Sequence, residues 1–179
     1  MHCIKTVNIE YEYGNTRIFI LASILFFVTF CLSYCLTSFN YLQPHRSEGL
    51  LYFLIAVVFI YPIHKGFHIL PLWILQKKMV FDFRIKFIFV PVLHTTFTTL
   101  IRRNEYLFAL LLPTFIINIA FLFAAFMWKE YAHYFCLLFA YHSSICMIDL
   151  MLVRTIIKAP RNALIEETEK GYEILVPTW

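Results

Sequence analysis

Five residues of this chain have types and spacings that could do chemistry together. His64 and His68 stand four apart, which on a helix puts both imidazoles on one face, one turn above the other, the spacing used to grip a single zinc ion. His142 and Asp149 stand seven apart, nearly two turns at about 100° per residue, so they also share a face. Imidazoles and one carboxylate make a ligand set with a position left for water, as catalytic zinc sites have. Lys65 follows the first histidine, where a proton-accepting group is wanted. An ammonium accepts no proton and opposes a neighbouring dication, so Lys65 acts either as a neutral amine with a lowered pKa or by turning away toward the head groups.

The elements that must position these residues are membrane spans. Of 179 residues, 61% are apolar or aromatic and only 15% charged, too few polar side chains to cover a water-soluble fold. A net charge of +4 is too small and dispersed for a nucleic-acid surface, so no nucleic-acid partner is expected. Five cysteines, three in or beside apolar runs, imply no disulfide framework. Windows of about 20 residues without free charges give four spans, at about 18–39, 50–76, 106–127 and 131–157. The first is too long for a secretion signal and lacks an Ala-x-Ala site, so it is expected to be retained. The expected fold class is therefore all-α membrane: one integral domain over 1–179, a four-helix bundle with a small cytoplasmic β element.

Depth along the spans brings the polar residues to common levels. At about 1.5 Å per residue, His64 and His68 lie about 21 and 27 Å inward from Leu50, and His142 and Asp149 about 16 and 27 Å inward from Tyr131. If spans two and four pack together, Asp149 meets His68 and His142 sits near His64. Ionisable groups at such depth cost several kcal/mol unless paired, hydrated or metal-bound. Alternatives stay open: each histidine could hydrogen-bond across helices, and Asp149 could pair with Arg154 or Lys65. Pro62 and Gly66 are expected to loosen the second span beside the histidine pair, and Pro113 and Asn118 to line the resulting cavity.

Orientation follows from the fifteen Lys and Arg residues. Lys65 is inside a span, Arg46 and Lys129 fall on one side, and the other twelve fall on the opposite side. Both termini, the loop 77–105 and the tail 158–179 are therefore expected in the cytoplasm, with short outer connections near 40–49 and 128–130. Phe81 to Phe89 alternates apolar and charged residues as a strand with one wet face. It either rests on anionic lipid or pairs with Tyr172 to Val176. Glu48, Glu105 and Glu130 are badly placed to serve the site, so no acid other than Asp149 is expected there.

The string His64-Lys65-Gly66-Phe67-His68-Ile69-Leu70-Pro71, with Tyr141 to Leu150 in the last span and the Lys158-Ala159-Pro160 and Ile174 to Pro177 segments, resembles a family of small bacterial membrane proteins classed as putative zincin peptidases. The string is a divergent His-Glu-x-x-His box. The resemblance implies an integral membrane metalloprotease fold, loosely like site-2 proteases, with zinc on His64, His68 and Asp149 and a membrane peptide or protein as substrate. Where the family has its box Glu, this chain has Lys65, which leaves two functions open: an intramembrane zinc peptidase, impaired or using Lys65 as modified base, or a non-enzymatic metal- or partner-binding relative. A small cation or proton carrier is a weaker third reading, because four spans show no repeat symmetry.

Overall fold

The computed structural model describes residues 2–39, 46–77, 79–87, 90–97, 99–168 and 171–177. The apolar runs form helices α2 (Asn15–Ser38), α3 (Leu50–Ile74) and α4 (Arg103–Met127), preceded by a short α1 (Ile9–Tyr13). These three have mean hydropathies of 2.4, 1.8 and 2.4 and are long and apolar enough to cross a membrane. Their large side chains face outward: Phe19, Phe27, Leu51 and Phe123 are all more than half exposed. Such a surface is stable only against an apolar medium or partner. α4 is the central helix, packed on α3 and on the C-terminal helices, while α2 packs on α5 (Ala132–Ile145).

The last apolar run departs from the unbroken helix expected over 131–157. A 3-10 turn at Lys129–Tyr131 leads into α5, and α6 (Met147–Ile156) follows at an angle of 42°. The two pass the length and polarity test for a span only together. Just before the bend, the Ser144 hydroxyl donates to the Tyr141 carbonyl at 2.7 Å, a back-bond of the kind that bends helices. Backbone pairing carries across the break, since Cys146 N–H donates to His142 O at 3.0 Å and Leu150 N–H to Cys146 O at 2.9 Å. α3, by contrast, runs through Pro62 and Pro71 without interruption, so the loosening expected there is absent. A proline removes one backbone bond, and neighbouring helices compensate for it in apolar surroundings.

Both ends of the chain meet in one antiparallel sheet. Strands β1 (His2–Val7), β4 (Ile101–Arg102), β5 (Leu164–Thr168) and β6 (Gly171–Val176) are ordered β1-β6-β5-β4. Of the two placements left open for the strand at 81–89, pairing with Tyr172 to Val176 is not the one found. Instead β6 is taken on both edges, by β1 and β5, and β2 (Met79–Phe87) pairs with β3 (Val90–Phe97) in a separate hairpin. The nearest partner in sequence wins because closing a short loop costs little entropy. Residues 88 and 89 of the expected strand, residues 40–45 of the expected outer connection, and Lys78, Glu169 and Lys170 lie outside the described residues.

The sheet caps one end of the bundle. Val7, Ile101, Ile165 and Ile174 from its inner face bury against Leu72, Tyr106, Leu152 and Ile156. Arg103 fastens the helix ends, donating from Nε to the Ile156 carbonyl at 3.1 Å and from Nη2 to the Ile157 carbonyl at 2.6 Å, where α6 leaves its last carbonyls without partners. Gly171 begins β6 at φ +132°, and a β carbon there would overlap the Val7 carbonyl oxygen of β1. Gly171→Ala is expected to cost about 1–3 kcal/mol through strained backbone alone, read as a lowered melting temperature in detergent. Gly66→Ala, with open space around its β carbon, should leave the melting temperature unchanged or slightly raised.

Candidate metal centre

The site lies where α3, α4, α5 and α6 converge beneath the sheet. α3 presents His64 and His68 one turn apart, their rings edge to face with centroids 4.6 Å apart. α6 brings Asp149 to both: its Oδ2 lies 3.1 Å from His64 Nε2 and 3.4 Å from His68 Nε2. The two Nε2 atoms are 3.0 Å apart. Three ligand atoms thus form a nearly equilateral triangle. A tetrahedral zinc ion with bonds of about 2.0–2.2 Å requires ligand edges of about 3.3–3.5 Å, and the triangle is within a few tenths of that.

Hydrogen-bond chemistry fixes which atoms carry protons. The Asn118 side-chain oxygen accepts from His142 Nδ1 at 2.7 Å, which leaves His142 Nε2 as an acceptor. His64 Nδ1 then donates to His142 Nε2 at 3.1 Å, and His64 Nε2 keeps its lone pair. On the other histidine, Nδ1 donates to the Ala109 carbonyl at 2.9 Å, so His68 Nε2 also keeps its lone pair. Two lone pairs and a carboxylate oxygen therefore face one another. Asp149 Oδ2 is buried and has no hydrogen-bond donor of its own. Three acceptors in such proximity repel unless a cation or proton lies among them, and outer partners that fix each ring are the usual surroundings of metal-binding histidines. The donor set fits zinc.

His142, expected among the ligands, faces His64 Nδ1 rather than the carboxylate, with its ring wholly buried. Cys146, which sequence reasoning passed over, is also buried, its Sγ 3.7 Å from His142 Nε2. His64, His142 and Cys146 make a second group close enough to hold an ion, but His64 Nδ1 and His142 Nε2 are already engaged with each other there. Among the described residues, the His64, His68, Asp149 group is the one whose lone pairs converge. Asp149 pairs with the two histidines and not with Arg154, which is exposed.

A cavity of about 60 Å³, roomy enough for several waters, opens beside His68 and Asp149. Lys65, Tyr106, Tyr172 and Glu167 also line it. Glu167 corrects the expectation that no further acid is well placed. It sits on β5 directly across from Tyr172 of β6, and it shares the inward face with buried Ile165, two residues before it. The alternation Ala163, Ile165, Glu167 was the available signal: an acid at the position where the pattern calls for an apolar residue.

Against known proteins, the family described as "Putative zincin peptidase" matches residues 57–164, more than half of the chain. That stretch holds His64, His68, Asn118, His142 and Asp149 and ends before Glu167. No curated protein and no solved structure matches.

The proton assignments are testable without a ligand. Asn118→Leu strands a buried N–H of His142 and is expected to cost about 1–3 kcal/mol, whereas Asn118→Asp keeps the acceptor and should cost less. Nitrogen NMR of the imidazoles should show His64 protonated at Nδ1 in the natural chain and lose that preference in Asn118→Leu.

Proposed function

The chain belongs to the family described as "Putative zincin peptidase" (DUF3267), and from that membership we propose that it is a multi-pass membrane zinc peptidase that hydrolyses a peptide bond in a membrane-embedded substrate. The observation that carries this reading is the convergence of His64 Nε2, His68 Nε2 and Asp149 Oδ2 within 3.4 Å, all three as acceptors. Three helices long and apolar enough to cross a membrane, with α5 and α6 as a bent fourth, support placement in lipid. In the sequence, twelve of the fifteen Lys and Arg fall on one side of the four spans, which supports cytoplasmic termini. β1 and β6 share the sheet, so both terminal segments lie at the same end.

His64, His68 and Asp149 would hold the metal. Zinc bound there supplies Lewis acidity, polarising the scissile carbonyl and acidifying water. The remaining work belongs to the chain. His142 and Asn118 hold the His64 ring in its tautomer, and the Ala109 carbonyl does the same for His68, which makes His142 a positioning residue rather than a ligand. Lys65 offers an ammonium to the cavity, suited to a substrate carbonyl oxygen as charge develops on it and unsuited to take a proton. The bundle shields the site from lipid while the cavity admits water.

Lys65 also favours a second reading, in which the same centre binds metal and a membrane partner without cleaving it. Metal analysis and a cleavage assay separate the two. Protein purified in detergent is expected to hold about one zinc per chain, and His68→Ala or Asp149→Asn to lower zinc affinity by more than tenfold. A reporter membrane peptide should be cut by the natural chain and spared after chelation or in Asp149→Asn. Zinc retained at one per chain with no cleavage of any reporter would favour the binding role, and no zinc at all would remove the basis of both readings.

A further inference from the structure

A His-Glu-x-x-His box works because its Glu takes a proton from the attacking water and returns it to the leaving nitrogen. Lys65 occupies that place here and can do neither as an ammonium. We propose that Glu167, carried to the site on β5 from the tail of the chain, is the proton-transferring carboxylate of this centre; the proposal rests on the peptidase reading above.

The first ground is position. Glu167 lines the same small cavity as Asp149, His68 and Lys65, so a water there lies between the ligand triangle and a carboxylate the triangle does not use. The second is orientation. Tyr172 stands directly across the ladder from Glu167, and its ring centroid lies 5.6 Å from that of Tyr106. A phenol beside a carboxylate donates to it, because a carboxylate only accepts. Burial, and then the charge of Glu167, hold the Tyr172 phenol well above its ordinary pKa, which keeps it a donor. The third ground is construction. Glu167 and Tyr172 are opposite one another in the ladder, and Gly171 closes that hairpin onto β1, so the register that joins both chain ends also fixes the carboxylate.

The step balances without another reactant. As the water oxygen bonds to the scissile carbonyl carbon, a Glu167 oxygen accepts one of the water's protons. When the carbon–nitrogen bond breaks, that proton passes to the nitrogen, giving a carboxylic acid and an amine and restoring the carboxylate. Lys65, which lines the same cavity, stabilises the carbonyl oxygen while it bears negative charge.

The test uses the full chain in detergent, loaded with zinc, with acetohydroxamate as probe, because a hydroxamate hands its proton to the base of such a site on binding. Glu167→Gln is nearly isosteric and should keep one zinc per chain. It should bind acetohydroxamate at least about tenfold more weakly and cut the reporter peptide about 10²–10⁴-fold more slowly. Adding Lys65→Glu to Glu167→Gln should restore part of both. Tyr172→Phe removes the donor that favours ionised Glu167, so the acid limb of hydroxamate binding should move to higher pH. Glu167→Gln indistinguishable from a natural chain that holds zinc and cleaves, or an unmoved acid limb in Tyr172→Phe, overturns this proposal alone. A natural chain that takes up no zinc overturns the peptidase reading and this one with it.

Discussion

The arrangement of the bundle depends on the polarity of one buried hydrogen-bond chain. Asn118 on α4 turns its amide oxygen to His142 Nδ1, and with that oxygen as acceptor the proton positions on His142 and His64 follow. The Ala109 carbonyl, also on α4, imposes the same outcome on His68. Between helices whose outer faces are as apolar as these, packing and such bonds hold the register. The same bonds that join α3, α4 and α5 therefore aim two imidazole lone pairs at Asp149. A centre assembled this way is already in the protonation state that a metal requires, which lowers the reorganisation needed on binding.

The bend between α5 and α6 and the terminal sheet complete the geometry. His142 and Asp149 lie on either side of the 42° bend, so α5 can follow α2 and α4 while α6 turns its carboxylate onto α3. Backbone bonds across Cys146 keep the break from leaving polar groups stranded. The sheet then closes the bundle end with an apolar inner face, fixed to the helix ends by Arg103. Glu167 and Tyr172, paired on that face, both line the cavity.

How much of this was legible in the sequence differs by element. The helices were legible because lipid demands long apolar runs, and the starts of α2, α3 and α4 fall within a few residues of the composition-based boundaries. The pairing of His64, His68 and Asp149 at one level was legible because helical rise is constant and charge in an apolar span is conspicuous. The bend was not, since it falls at no proline, while the prolines that looked disruptive left α3 intact. The sheet was the hardest part. β1 carries no strong strand pattern, and β6 chooses its neighbours by bringing two distant chain ends together, which local periodicity does not encode. Glu167 was not singled out because its inward orientation depends on that pairing.

Charge balance links Lys65 on α3 to Glu167 on β5. A glutamate at position 65 alongside Asp149 and Glu167 would put three carboxylates around a single dication and leave the centre negative in an apolar bundle. With Lys65 in that place, two carboxylates face one ammonium and the ion, and the excess is a single positive charge. Repulsion between Lys65 and a bound cation would therefore be offset by the second carboxylate that the tail provides, and each group makes the other tolerable. A lysine beside the ligand triangle is thus by itself no argument against a cation at the centre.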